Sequence, residues 1–221
     1  MKSKLFFLLI CIPAMLFAQN GDRSGWYGNA GLGYGMYKLD VYNYNDGNNG
    51  LYAEQKLSNM LVWLGAERKS LWQSNNIVLD AGGELTIGLG VKNHLVKSRF
   101  TEGADISGGW GLGIRGLAKV GYLLVNENSS IVPLLGIGPY YSFINSNNGD
   151  DDNSGGNQIY GLQGYAGVDF QLGKFVLTPQ INFGLASWGW SDIYTGANVD
   201  NNVQEGQPSL FEIGVKIAVK F

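Results

Sequence analysis

A period of two runs through the sequence from residue 26 to residue 221, and no other feature limits the fold as strongly. The final twelve residues show it best. Phe211, Ile213, Val215, Ile217, Val219 and Phe221 share one parity; Leu210, Glu212, Gly214, Lys216, Ala218 and Lys220 share the other. Successive side chains of a β-strand point to opposite faces, so this segment has one wholly apolar face and one that is mostly charged or small. A helix would scatter both classes around its surface. Such a strand suits a soluble sandwich or the wall of a membrane barrel, and by itself does not choose between them.

Seven further stretches alternate in the same way. Over residues 26–39, Trp26, Ala30, Leu32, Tyr34 and Met36 oppose Asn29, Gly31, Gly33 and Gly35. Over 57–67, Met60, Val62, Leu64 and Ala66 are placed outward, which leaves Leu61 and Trp63 inward. Over 77–91, Ile77, Leu79, Ala81, Leu85, Ile87, Leu89 and Val91 oppose Asp80, Gly82, Glu84, Thr86 and Gly88. Over 110–124, Trp110, Leu112, Ile114, Ala118, Val120 and Tyr122 oppose Gly111, Gly113, Arg115 and Lys119. Over 131–143, Leu135, Ile137, Tyr141 and Phe143 share a parity with Pro133 and Pro139. Proline gives no ladder donor, so a bulge or weakened pairing is expected there. Over 159–172, Tyr160, Leu162, Ala166, Val168, Phe170 and Leu172 oppose Gln163, Tyr165, Asp169 and Gln171. Over 175–190, Phe175, Leu177, Ile181, Phe183 and Leu185 oppose Thr178, Gln180, Asn182, Trp188 and Trp190.

Two features favour a membrane wall. The strands are long for a soluble sheet, and their apolar faces carry no charge through the middle, where a lipid-facing Lys or Arg would cost about 2–4 kcal/mol. In hydrocarbon every backbone N–H and C=O must pair within the protein, so a sheet can span only as a closed barrel. The connections alternate in length. Polar stretches 40–56, 92–109, 145–158 and 191–208 are long, whereas 68–76, 126–130 and 172–174 are short. Aromatics cluster near the strand ends: Trp26, Trp110, Tyr122, Tyr141, Phe143, Tyr160, Phe175, Phe211 and Phe221. Amphipathic rings of this kind belong at membrane–water boundaries.

Residues 1–18 read as a secretory signal peptide: Lys2 and Lys4, then an apolar run from Leu5 to Phe17, then Ala18 before Gln19. Cys11, the single cysteine, lies inside it, so a processed chain has no disulfide. Losing Lys2 and Lys4 takes the formal net charge from −3 to −5, which argues against a nucleic-acid partner. No later stretch holds the 18 consecutive apolar residues of a transmembrane helix.

Taken together, the terminal strand ending on Phe221, the alternating connections and the girdle aromatics resemble the small bacterial outer-membrane β-barrels of the OmpA/OmpX type, in the broad porin-like family. The resemblance implies an all-β fold: an eight-stranded antiparallel up-and-down transmembrane β-barrel over residues 19–221, after a cleaved signal peptide. It implies the outer membrane of a Gram-negative-type bacterium, with both termini periplasmic. It makes Val219 and Phe221 the C-terminal signal read by the outer-membrane assembly machinery. It implies surroundings of outer-membrane lipid and lipopolysaccharide, no cofactor, and a structural or surface-interaction role. Alternatives are a subunit of a larger outer-membrane complex, a narrow channel and a lipid-modifying enzyme.

The inward parity supplies the candidate site. Antiparallel pairing of neighbouring strands sets Asp80 against Lys119 and Glu84 against Arg115, two opposite-charge pairs, and Asp169, Glu212 and Lys216 can join them. We expect an ion-paired lumen, filled further by Tyr140, Tyr165, Gln163, Gln180 and Trp188. An eight-stranded barrel is only wide enough to hold side chains, whereas water-filled porins use about 16–18 strands. The run Asp150–Asp152 lacks the spaced ligands of a calcium loop and reads as a solvated loop. The lone histidine, His94, has Ser98, Glu102 and Asp105 nearby in sequence, but nothing fixes their geometry as a catalytic set, so no enzyme is expected. The aromatic, Asn-rich stretches around Val41–Asn45 and residues 188–194 are candidate contacts for a protein partner.

Overall fold

Alternating β-branched, aromatic and small residues form a pleated sheet with one greasy face, and that sheet must close to hide its edges. The computed structural model describes residues 23–43, 50–98, 104–126, 129–147, 153–195 and 208–221. Those residues form ten β-segments and no helix: β1 (Gly25–Asn43), β2 (Gly50–Ser74), β3 (Ile77–Ser98), β4 (Ala104–Ser107), β5 (Gly109–Tyr122), β6 (Leu124–Asn126), β7 (Ser129–Asn147), β8 (Asn153–Leu172), β9 (Phe175–Thr195) and β10 (Ser209–Lys220). β4, β5 and β6 make one wall strand, interrupted only at Gly108 and Leu123, so the wall has eight. Every pairing is antiparallel between neighbours, and β1 pairs β10 from Tyr27↔Lys220 to Lys38↔Ser209, which closes the ring.

The strands run well past the expected limits. β2 has 25 residues and β3 has 22. Much of what reads as long loop, and most of the stretch 68–76, is paired strand; Asn75–Asn76 and Gly173–Lys174 are tight turns. Beyond the bilayer both faces of a hairpin meet water, so the pairing continues while the apolar alternation stops.

Three bulges shape the lumen, and the two single-residue ones reverse the parity beyond them. In β3, Gly90 adopts a left-handed φ of 61° and adds one residue between the pairs Met60↔Leu89 and Ser58↔Lys92. Val91, expected outward, is therefore turned inward and fully buried. In β9, Leu185 is extra between Leu162↔Ala186 and Gln163↔Gly184. Trp188, expected in the lumen, is 53% exposed on the outside, where its ring lies 6.3 Å from that of Tyr160. In β2 three residues, 69–71, oppose the single Asp80, and Ser70 has a φ of 48°. Lys69 and Ser70 both turn inward there.

The prolines interrupt pairing without shifting register. The β5–β7 ladder skips from Arg115↔Tyr140 to Ala118↔Ile137, beside Pro139. The β8–β9 ladder skips from Gly167↔Gln180 to Phe170↔Leu177, beside Pro179. A ring nitrogen without hydrogen cannot donate to the neighbouring strand.

Outside, an uncharged band of Leu, Ile, Val and Met is exposed between two aromatic rims. Trp26, Tyr122 and Phe175 stand at the short-turn end, and Trp110, Tyr160 and Phe211 at the long-connection end. An exposed apolar band of this extent around a polar interior is the inverse of a soluble protein, and lipid is its solvent.

Candidate functional site

The inward faces of five wall strands, with Arg23 just ahead of β1, bring ten charged side chains into the lumen. Five are cationic (Arg23, Lys69, Arg115, Lys119 and Lys216) and five anionic (Glu67, Asp80, Glu84, Asp169 and Glu212), and none is more than 5% exposed. They form one connected network. Arg23 bridges Asp80 and Asp169, the latter at 2.8 Å. Asp169 pairs with Lys69 at 2.7 Å, and Lys69 pairs in turn with Glu67. Glu67 also takes Lys119 at 2.6 Å and Lys216 at 3.5 Å. Lys216 reaches Glu84 at 2.6 Å; the Arg115 guanidinium meets Glu84 at 2.7 Å and Glu212 at 2.5 Å.

Neutral groups add hydrogen bonds to the carboxylates. The Ser70 amide donates to Asp80 Oδ1 at 2.8 Å, a consequence of the β2 bulge. Thr178 donates to Asp169 at 2.6 Å, and Tyr37 and Asn182 donate to Glu212 at 3.0 and 3.1 Å. Three cations also lie over rings: Arg115 over Trp63 at 4.9 Å, Lys119 over Tyr165 at 4.6 Å and Lys69 over Tyr27 at 5.6 Å. Gly33 and Gly214 make room for the Trp63 indole, since a Cβ on either would come within 2.4 and 2.7 Å of its Cη2. A buried charge is tolerable only when paired and hydrogen-bonded, and these ten are matched five against five.

Toward the long connections the lining becomes apolar: Tyr37, Leu57, Val91, Tyr140, Ile144, Ile159 and Leu210 pack together. Between that cluster and the charges, Tyr37, Asn59, Thr86 and Ser142 line a pocket of about 10 Å³. A single water needs about 10–15 Å³.

Glu84 and Arg115 stand directly opposite in register and are ion-paired. Asp80 and Lys119 also stand opposite. They do not pair with each other: Asp80 goes to Arg23 and Lys119 to Glu67. Asp169, Glu212 and Lys216 all lie in the network. Three members escape sequence reasoning. Glu67 and Lys69 continue the inward parity of Leu61 and Trp63; Glu67 ends the stretch 57–67, whereas Lys69 is lost once 68–76 is read as a turn. Arg23 precedes any alternation and carries no such signal. Tyr140, Tyr165, Gln163 and Gln180 face inward and are buried.

His94 projects outward and is exposed, with its backbone opposite Asp105. The side chains of Ser98 and Asp105, all of Glu102, Asp150–Asp152 and the signal segment 1–18 lie outside the described residues, as do most of the candidate outer-loop contacts. Among the described residues no group of three potential metal ligands comes together. Val219 and Phe221 both face outward; the Phe221 amide donates to the Trp26 carbonyl at 3.2 Å.

The architecture is that of the small outer-membrane β-barrels: a closed eight-stranded antiparallel wall, apolar outside and polar inside. Outer membrane protein OprG from Pseudomonas aeruginosa is similar at 15% identity, over 92% of this chain and 100% of that one, with a TM-score of 0.55. Neisserial surface protein A matches at 15% identity over 90% and 98%, with a TM-score of 0.42. The outer membrane protease OmpT from Escherichia coli matches at 10% identity over 90% and 97%, with a TM-score of 0.49. At these identities the OprG likeness speaks to the fold alone, and the two weaker ones carry no argument. No protein-family model and no curated protein matches the sequence.

Proposed function

We propose that this protein is a sealed outer-membrane barrel with a structural or surface-interaction role, its lumen plugged rather than open. The observation that supports it is the charge-balanced network across the lumen, with apolar packing above it. An ion crossing this interior would have to break several buried ion pairs at once. In this reading residues 1–18 are a cleaved signal peptide and the short-turn end is periplasmic. Val219 and Phe221 present the terminal strand to the assembly machinery, and the long connections meet any protein partner.

Planar-bilayer recording tests it. The refolded protein should give no discrete conductance steps at low or high salt. Stable unit conductance that disappears when Gly33→Leu adds bulk beside Trp63 would replace the plug with a narrow channel.

A further inference from the structure

Charges on the outside of the wall follow a different rule from those inside, and the difference is sharpest at the long-connection end. There the outward side chains of β1, β2, β3 and β10 line a groove of about 780 Å³. Its floor is Tyr34, Met36 and Phe211, the upper edge of the lipid-facing band. Its rim is Lys38, Lys56, Lys92 and His94, with Ser209.

Register makes this rim costly without an anion. Lys38 stands directly opposite Lys56, and Lys92 stands opposite Ser58, two residues along the same face of β2. Like charges directly opposite on one sheet face are destabilising. The next row outward, Asp40 opposite Glu54, offsets only the first of them: Lys38 Nζ lies 3.3 Å from each. Lys56 and Lys92 make no ion pair with any described residue. Two ammonium groups without an ion pair to any described residue therefore overhang an aromatic and apolar floor at the membrane boundary.

We propose that this groove binds a phosphorylated lipid of the surrounding leaflet. The phosphate sits between Lys56 and Lys92, and the acyl chains run down the wall past Tyr34, Met36 and Phe211. The order of chemistry along the wall fits an amphiphile: ammonium donors first, then aromatic rings, then aliphatic residues. Lysine is a compact point charge suited to a phosphate in any orientation. The proposal rests on the membrane-barrel reading and, for the lipid to be a lipid A-type glycolipid, on the long-connection end facing away from the cell.

The test is native mass spectrometry of the full barrel released from micelles containing equimolar diphosphorylated lipid A and its enzymatically dephosphorylated form. The wild type should retain the phosphorylated lipid at least about tenfold over the other. In the Lys56→Gln, Lys92→Gln double variant that preference should vanish, whereas Lys174→Gln, at the opposite end, should keep it. Equal retention of the two lipids by the wild type, or an unchanged preference in the double variant, overturns the proposal. So does displacement of the lipid by millimolar inorganic phosphate, which would mean an anion site indifferent to the lipid. Conductance of the same preparation reports the sealed lumen separately, so either reading can fail alone.

Discussion

The middle of the lumen and its long-connection end are filled by opposite chemistry. From the short-turn rim to mid-height ten charges interlock through directed bonds, with Glu67 meeting three lysines and Glu84 meeting Lys216 and Arg115. Toward the long connections, Tyr37, Leu57, Val91, Tyr140, Ile144, Ile159 and Leu210 fill the bore mainly by apolar contact, beside the neutral hydrogen-bonded group of Gln55, Asn93 and Asn157. The difference teaches which part of the interior depends on register. Apolar packing tolerates small changes in shape, because dispersion is undirected and its loss is graded. A paired charge in a dry interior is intolerant, because losing one member leaves the others buried and uncompensated. Tyr37 joins the two regions: its ring packs in the apolar cluster while its hydroxyl donates to Glu212 at 3.0 Å.

That contrast can be broken by mutation. Glu67→Ala should have the largest effect. It takes the one ion pair of Lys119 among the described residues and leaves Lys69 and Lys216 with one carboxylate each. A loss of about 3–5 kcal/mol is expected from urea unfolding of the refolded barrel in lipid. A loss below about 1 kcal/mol would mean that water reaches the lysines. Next comes the same kind of charge on the other face. Val215→Arg, midway along the outer side of β10, should cost about 2–4 kcal/mol in the same assay, although Lys216 beside it is accommodated inside. Insensitivity there would deny that this band meets hydrocarbon. The smallest effect belongs to the apolar end: Ile144→Val should cost about 0.5–1.5 kcal/mol. If it matched Glu67→Ala, the two regions would not differ in kind.

Much of the wall is legible in the sequence, because lipid on one side and a narrow polar bore on the other impose one period on every strand. Glu84 and Arg115 are legible for the same reason: the strand-to-strand register is constant, so their meeting follows from position alone. The misreadings all have local causes. Val91 and Trp188 change sides because single extra residues at Gly90 and Leu185 reverse the parity beyond them. Lys69 is hidden because the alternation ends where strand continues into water. Arg23 lies on no strand that its neighbours reveal.

The sequence by itself determined the strand count, the two faces and the chemistry of each, since these depend on the identity of residues two apart. Only the tertiary structure decided who pairs with whom across the bore. Asp80 and Lys119 stand side by side on the wall, yet each turns to a partner from elsewhere on the ring, Arg23 and Glu67. In a barrel this narrow, long side chains reach the far wall as readily as the neighbouring strand, and the arrangement that satisfies every charge is a property of the closed ring.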